Sequence, residues 1–180
     1  MAPGLEKRTR PHLCSTNDSW QVDETYVKVK GKWKYLYRAV DSAGNTIDFM
    51  LSAKRDRRAA KRFFRKVLSS AHTHSPRVIN VDKNAAYPIA IKELKAEATL
   101  PQACELRQSK HLNNLVKQDH RLIKKSVNPG LGLKSFHPAR KTLIGYETMN
   151  SIRKNRLVGL YKGDILARVK FIAQIFGVAA

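Results

Sequence analysis

Aspartates interrupt two segments of the chain that otherwise have the apolar, β-branched composition of buried strands. Asp23 lies in the segment W-Q-V-D-E-T-Y at 20–26, and Asp82 ends the segment V-I-N-V-D at 78–82. Burying a carboxylate costs several kcal/mol unless a cation meets it. The chain carries 35 Lys and Arg against 14 Asp and Glu, a formal net charge of +21. Two buried acids in so basic a chain indicate a metal site that faces a polyanion.

The hydrophobic pattern predicts an α/β fold. Alternating apolar residues and turn residues predict three consecutive strands that form an antiparallel meander. After them, apolar residues spaced three and four apart predict helices, with two further strands between them. The predicted strands are 20–29, 33–40, 46–52, 77–81 and 104–108, and the predicted helices are 57–71, 85–96, 113–125, 138–157 and 164–176. This order is that of the ribonuclease-H-like fold, a mixed five-stranded sheet with flanking helices. We expect an arm or linker at 1–19, the core at 20–160 and a carboxy-terminal helix at 161–180.

In such a sheet the first and fourth strands are neighbours, so Asp23 and Asp82 are expected to converge. Carboxylate oxygens suit Mg²⁺ or Mn²⁺, and two such ions ~3.5–4 Å apart activate a water or a 3′-hydroxyl and stabilise the leaving oxygen. The alternative is that both are surface acids at strand ends, the usual place of aspartate. Glu24 is interpreted as structural because alternation places it on the other face of the strand from Asp23. Asp41 and Asp48 are interpreted as structural too.

Composition excludes several classes of protein. Basic residues are spread along the chain rather than massed in a tail, which favours a folded nucleic-acid-binding domain. Cys14 and Cys104 are far apart without CxxC spacing, which argues against a zinc ribbon or a disulfide scaffold and fits a reducing cytosol. We find neither a signal peptide nor an apolar run of ~20 residues, so a cytoplasmic protein without a membrane partner is expected.

Aromatic residues alternate along the second predicted strand, at Trp33, Tyr35 and Tyr37, with basic residues between them. Such an arrangement stacks on bases in some nucleic-acid-binding proteins. Aromatic alternation on a strand is more often core packing, and that interpretation is preferred here.

Longer strings in the chain resemble one family. They are W-Q-V-D-E-T-Y-V-K-V-K-G-K-W-K-Y-L-Y-R-A-V-D from Trp20, N-V-D-K-N-A-A-Y-P from Asn80, L-G-L-K-S-F from Leu131 and G-Y-E-T-M-N-S-I-R-K from Gly145. Over residues 2–180 the chain resembles the DDE transposases of small bacterial insertion sequences, in the group that moves by forming replicative cointegrates.

The resemblance implies a ribonuclease-H-like catalytic core with two Mg²⁺ or Mn²⁺ ions that cuts transposon-end DNA and joins the freed 3′ ends to target DNA. Asp23 and Asp82 fall on the first and second family aspartates. The family carries a helix-turn-helix before the core, and we expect this chain to begin after it, with recognition of transposon ends weakened or lost. A nucleoid-associated bacterial protein is implied, acting as a homodimer or paired with full-length transposase.

The chain departs from the family at its third acid. The family glutamate follows the second aspartate by 35 positions in the context N-N-x-x-E-x-D-H, and the string here is N-N-L-V-K-Q-D-H, which places Lys117 at that position. A charged ammonium offers no acceptor to Mg²⁺ and repels it. Lys117 would share a basic helical face with the residues that follow it. The expected DNA-binding residues are Lys83, His120, Arg121, Lys124 and Lys125. A role for His120 near the metals, in proton movement, is a further alternative, and local packing or hydrogen bonding is slightly preferred.

Three functions are compatible with the basic composition of the chain. The first is a transposase core impaired by Lys117, and the second is a catalytically inactive DNA-binding fragment that competes or pairs with full-length transposase. A structural RNA-binding protein would explain the charge but not the two aspartates. Asp119 and Glu147 are poor substitutes for the third acid, and Glu147 is expected to make a surface pair with Arg153 or Lys154.

Overall fold

The computed structural model describes residues 2–109, 116–117, 120–121, 124, 133–161 and 163–177. The chain divides into two compact units, Ser15–Lys134 (the sheet unit) and Met1–Cys14 together with Ser135–Ala180 (the helical unit). These units differ from the predicted segments 1–19, 20–160 and 161–180. The predicted domain boundaries stay a prediction.

The sheet unit is built on five strands. They are β1 Ser19–Val29, β2 Lys32–Asp41, β3 Thr46–Ser52, β4 Val78–Val81 and β5 Glu105–Gln108. Their order across the sheet is β3-β2-β1-β4-β5. The first three strands are antiparallel, whereas β4 runs parallel to β1 and β5 runs parallel to β4. The prediction of a ribonuclease-H-like, mixed five-stranded sheet is confirmed.

A two-residue turn joins β1 to β2. Lys30 and Gly31 both have positive φ, 48° and 73°, as a type I′ hairpin turn requires to match the twist of its strands. The turn fixes the register, so that Lys28 lies opposite Trp33, Tyr26 opposite Tyr35 and Glu24 opposite Tyr37. Because side chains alternate along a strand, these six share one face of the hairpin.

Two helices cover the inner part of that face. Helix α2 spans Arg57–Leu68 and begins at Asp56, whose side chain accepts a hydrogen bond from the Ala59 backbone N–H. Helix α3 spans Ala86–Ala96. The main core lies between both helices and the sheet; its bulky, fully buried members include Trp20, Phe63, Phe64, Tyr87 and Leu94.

The helical unit contains α1 Ala2–Thr9, a 3-10 turn at Arg10–His12, α4 Phe136–Arg153 and α5 Ile165–Phe176. Helix α1 packs against α4 and α5. The predicted arm at the amino terminus is therefore largely helical, because tertiary contacts rather than its own apolar content stabilise α1. In α4, Leu143, Ile144 and Ile152 are buried, whereas Tyr146 and Met149, which alternate with them along the apolar pattern, are exposed.

The helix predicted at 113–125 falls mostly outside the described residues, although 116–117, 120–121 and 124 are helical. Within the described ranges, no helix combines the length and the apolar character that a membrane span requires.

Candidate active site

The parallel pairing of β1 with β4 brings the two predicted aspartates together. Gln21 lies opposite Asn80 in this pairing, so two residues further along each strand Asp23 comes beside Asp82. Strand β4 ends at Val81, and Asp82 is the first residue beyond it. The end of a short parallel strand next to a longer one thus positions both carboxylates.

A third acid, Glu24, joins them. One carboxylate oxygen from each of Asp23, Glu24 and Asp82 lies within 4.8 Å of the other two; these three residues are the acid cluster. Sequence alternation places Glu24 on the opposite face of β1, and its membership was not predicted. Strand β4 ends at Val81, and near this end carboxylates from the two faces of β1 approach one another.

The carboxylate of Glu24 is almost fully buried, with its side chain 2% exposed, and its charge is compensated. Arg55 makes an ion pair with it, the Tyr87 hydroxyl donates a hydrogen bond to it, and the Asn84 side-chain amide donates a third at 3.4 Å. Burial, and next the Glu24 charge, raises the pKa of Tyr87 well above its usual value, so this hydroxyl stays protonated and donates.

Asp82 is held by the same group of residues. Its Oδ1 accepts from the Asn84 backbone N–H at 3.0 Å, and Arg55 Nη2 approaches its Oδ2 at 3.5 Å. Arg55 thus bridges Glu24 and Asp82. Neither Arg55 nor Tyr87 was singled out in the sequence, since they come from the segment before α2 and from α3, and only the fold brings them to β1.

Asp23 is in a different electrostatic situation. It is 8% exposed, and its Oδ1 accepts from the backbone N–H of Glu24 at 2.8 Å. Burial, and next the Glu24 charge, raises the pKa of Asp23 from 3.8 to about 7, and Asp82 adds to the increase. The backbone hydrogen bond and the charge of Lys117 act in the opposite direction. A cation bound beside this buried carboxylate would stabilise its ionised form.

Lys117 is exposed and helical, and its ammonium acts electrostatically on Asp23. Lys117, which the sequence analysis aligns with the family's third acid, is therefore close enough to act on Asp23, and its catalytic effect remains a prediction.

The predicted DNA-binding residues are placed differently from one another. Lys83, Arg121 and Lys124 are exposed, whereas His120 is buried at 5% exposed. Lys125 lies outside the described residues, as does Asp119. The assignment of all five to DNA binding remains a prediction.

Two further expectations are corrected by burial. Glu147, expected in a surface pair, is only 4% exposed. Core packing holds for Tyr37, which is 1% exposed, but is wrong for Trp33, which is 60% exposed.

Comparison with known proteins identifies a family. A family model described as DDE domain (DDE_Tnp_IS240) matches residues 17–156. The transposase for insertion sequence-like element IS431mec and that for insertion sequence element IS257 in transposon Tn4003, both from Staphylococcus aureus, are each 36% identical over 138 residues, 76% of this chain. An uncharacterized protein of Yersinia pseudotuberculosis, pYV0051, is 38% identical over 101 residues, 56% of this chain and 94% of its own length. The chain spans 59% of the length of the staphylococcal relatives.

Solved structures show the same fold at lower identity. The integrase catalytic core domain of HTLV-2, in complex with magnesium, superimposes with a TM-score of 0.56 at 18% identity, over 83% of this chain and 92% of that one. The simian T-cell lymphotropic virus intasome with the PP2A regulatory subunit B56 gamma gives a TM-score of 0.54 at 18% identity, over 83% of this chain and 52% of that one. These structures show the shared fold, and the family-model match over 17–156 shows that the chain belongs to the DDE domain family of insertion-sequence transposases.

Proposed function

We propose that the sheet unit is a metal-dependent core for cutting and joining DNA strands at insertion-sequence ends, and that it works weakly because Lys117 replaces the third acid. The acid cluster carries this proposal: three carboxylates within 4.8 Å of one another, in a family member whose net charge is +21. A dense group of acids repels DNA unless cations neutralise it, whereas the rest of the chain attracts DNA.

The donors of the acid cluster fit Mg²⁺ or Mn²⁺. Both ions prefer a few carboxylate oxygens completed by water and phosphate, and the integrase core similar in fold is in complex with magnesium. Glu24 is already engaged by Arg55 and Tyr87, which leaves Asp23 and Asp82 as the metal ligands. When bound there, the ion would supply activation of a water or 3′-hydroxyl and charge stabilisation at the phosphate.

The remaining residues of the site hold the carboxylate of Asp82 in position. The Asn84 backbone N–H and Arg55 hold the two oxygens of Asp82, and Arg55 is itself fixed by Glu24. Glu24, Arg55 and Tyr87 therefore keep Asp82 beside Asp23. We assign them as positioning residues rather than catalytic ones.

Lys117 accounts for the weakness. Two ions are expected for this chemistry, and the second would lose its anchor at a side chain that has three donors and no acceptor. The charge of Lys117 also opposes the rise in the pKa of Asp23. The ammonium group therefore already offsets part of the negative potential that would attract a metal ion.

The same coupling favours a second candidate, a catalytically inactive DNA-binding fragment that competes or pairs with full-length transposase. Exposed basic residues such as Lys83, Arg121 and Lys124 would then bind DNA, while Lys117 stands where the catalytic glutamate would be needed. In this case DNA binding persists with a steep dependence on salt, because released counterions drive it.

The test is nicking of supercoiled plasmid DNA with Mn²⁺ or Mg²⁺, which requires no particular end sequence. Lys117→Glu is expected to raise the rate about 100-fold or more, the scale on which one charge-stabilising group acts in an active site. Lys117→Gln, which removes the cation without adding a carboxylate, is the matched control and is expected to give little of this gain.

Three outcomes separate the candidates. A gain with Glu but not with Gln supports the impaired core. Salt-dependent DNA binding with no nicking by any of the three proteins supports the inactive fragment. Full activity of the unchanged protein contradicts the role given to Lys117.

A further inference from the structure

An exposed aromatic surface lies on the sheet unit, toward the turn between β1 and β2. Tyr26 is 47% exposed and Trp33 is 60% exposed, with ring centroids 6.2 Å apart at 80°. Tyr35 adjoins Tyr26, with centroids 5.4 Å apart, and packs against the core. These three residues are the aromatic ledge.

The ledge continues a buried row of side chains beyond the helices that cover it. Glu24 and Tyr37 occupy the same face one step further inward, where Tyr37 contacts Phe63 of α2 at a centroid distance of 5.7 Å. Outward from this pair, Tyr26 and Trp33 extend past the cover of α2 and α3. Large aromatics left in water forgo the free energy of burial, and contiguous exposed apolar surface marks an interaction site.

Cations border the ledge. The Lys28 ammonium lies 5.8 Å from the centre of the Trp33 ring. Lys28, Lys124, Tyr26 and Trp33 line a surface pocket of about 540 Å³, within the ~300–1,000 Å³ of small-molecule sites. Flat aromatic faces beside lysines form the pattern by which proteins hold unpaired nucleic-acid strands, bases stacked on rings and phosphates on cations.

We propose that the aromatic ledge stacks a base of an unpaired DNA strand, with Lys28 and Lys124 on the neighbouring phosphates. The proposal rests on the proposed function, since a core that cuts and joins DNA strands works at strand ends, where separating a base from its partner costs the least free energy. Tyr26 follows Glu24 by two residues on the same face of β1, which is about 7 Å along a strand. The metal ligand Asp23 lies on the other face, but an oxygen of Glu24 lies within 4.8 Å of oxygens of Asp23 and Asp82, which links the ledge to the acid cluster.

The chemistry favours an unpaired base over other occupants. Bases of an intact duplex are stacked on each other and offer the ledge no free face, and the duplex would be held by phosphate contacts alone. A second copy of this chain would bring another charge of +21 to a site already bordered by lysines. A polyanion with flat aromatic groups satisfies both the rings and the ammonium groups.

Tryptophan fluorescence tests the proposal directly. The chain has two tryptophans, and Trp20 is fully buried, so a ligand at the surface reaches only Trp33. Titrating the full chain with single-stranded oligothymidylate, in EDTA and at fixed salt, is expected to quench the Trp33 emission. Trp33→Ala is expected to lower the affinity for this strand roughly tenfold, while affinity for a duplex of equal length changes less than about twofold.

Two variants serve as controls. Trp33→Phe keeps a stacking face and is expected to recover most of the affinity that Trp33→Ala loses. Tyr161→Ala removes an aromatic that is 74% exposed in the helical unit and is expected to bind oligothymidylate as the unchanged protein does.

The proposal is overturned by an unchanged Trp33 emission at saturating oligothymidylate, or by equal losses for single strand and duplex. A dimer in light scattering that Trp33→Ala converts to monomer, without any quenching, would assign the ledge to self-association and would also overturn it. Because the titration needs neither metal nor cleavage, quenching without nicking by Lys117→Glu would retain the ledge and contradict the metal proposal. Nicking by Lys117→Glu without quenching of Trp33 would support the metal proposal and overturn the role given to the ledge.

Discussion

The two faces of β1 hold adjacent carboxylates in opposite electrostatic environments. On one face Glu24 is buried with an arginine, a tyrosine hydroxyl and an amide directed at it. On the other, Asp23 is buried with its pKa raised to about 7 by that burial, and next by the Glu24 charge. The comparison distinguishes an acid whose charge the fold already satisfies from an acid whose charge awaits a cation. The first keeps the site in shape, and the second is suited to hold a metal.

The strongest test of this difference is activity in the Lys117→Glu background. Asp23→Asn is expected to lower Mn²⁺-dependent nicking about 1,000-fold, because it removes a ligand and its charge. Glu24→Gln is expected to lower it by only about 10- to 100-fold, because the amide oxygen still accepts from Tyr87 and the loss is one of positioning. Rates on supercoiled plasmid measure both, and equal losses would mean that the two faces share one role.

The second test is the pH dependence of stability in EDTA. The folded pKa of Asp23, about 7, lies above the unfolded value of 3.8, so between these values the unfolded chain binds fewer protons than the folded one. The contribution of Asp23 to the free energy of unfolding therefore falls as pH rises from about 4 to about 7, by up to about 4 kcal/mol, and is constant above.

Urea unfolding at pH 5 and pH 8 measures this change, with Asp23→Asn as the control for all other titrating groups. The variant is expected to be more stable than the unchanged protein at pH 8 and to lose the extra slope. Parallel pH profiles for the two proteins would show that Asp23 ionises freely in the folded state.

The third test removes the cation from the Glu24 face. Arg55→Ala is expected to lower the free energy of unfolding by about 2 kcal/mol. This is less than for a fully enclosed pair, because Arg55 is 35% exposed while Glu24 is 2% exposed. Arg65→Ala, which breaks a surface ion pair with Glu97, is the control and is expected to change stability little. Similar effects of both substitutions would mean that burial of Glu24 adds nothing.

The smallest expected effect comes from the tyrosine on the same face. Tyr87→Phe removes the hydroxyl donor to Glu24 without changing the packing of the ring against Phe64. A loss of about 1.5 kcal/mol in urea unfolding is expected, as for a hydrogen bond to a charged group. No loss would indicate that Arg55 alone compensates the Glu24 charge.

Much of the fold and half of the candidate site follow from sequence pattern. Alternation, turn residues and the change to helical spacing predict the five strands in order. In the ribonuclease-H-like fold, which has this order, β1 and β4 are neighbours, and the convergence of Asp23 and Asp82 follows once that fold is assigned. In a parallel pair, residues at equal distances along the two strands lie side by side, and this places Asp23 beside Asp82.

Glu24 could not be predicted in the same way. Alternation correctly separates its face from that of Asp23, but the approach of the two carboxylates depends on where β4 stops. It also depends on Arg55 and Tyr87, which reach Glu24 from two other elements. These are tertiary facts, and no local spacing encodes them.

Trp33 shows a related limit. The pattern on β2 assigns Trp33 and Tyr37 to one face, but it does not tell how far along that face the covering helices extend. Tyr37 lies under α2 and Trp33 lies beyond it, so one residue is core and the other is surface. The amino-terminal helix was missed for a similar reason, since its contacts come from α4, far along the chain.

The tight turn at Lys30 and Gly31 has a genetic consequence. Side chains alternate with a period of two, so a one-residue slip of β2 against β1 would turn Trp33 and Tyr37 together to the reverse side of the hairpin. Because Tyr37 is buried in the core, its packing opposes such a slip, and one extra codon at this turn would be absorbed in the turn itself. The core thus protects the orientation of an exposed tryptophan against small insertions in the gene.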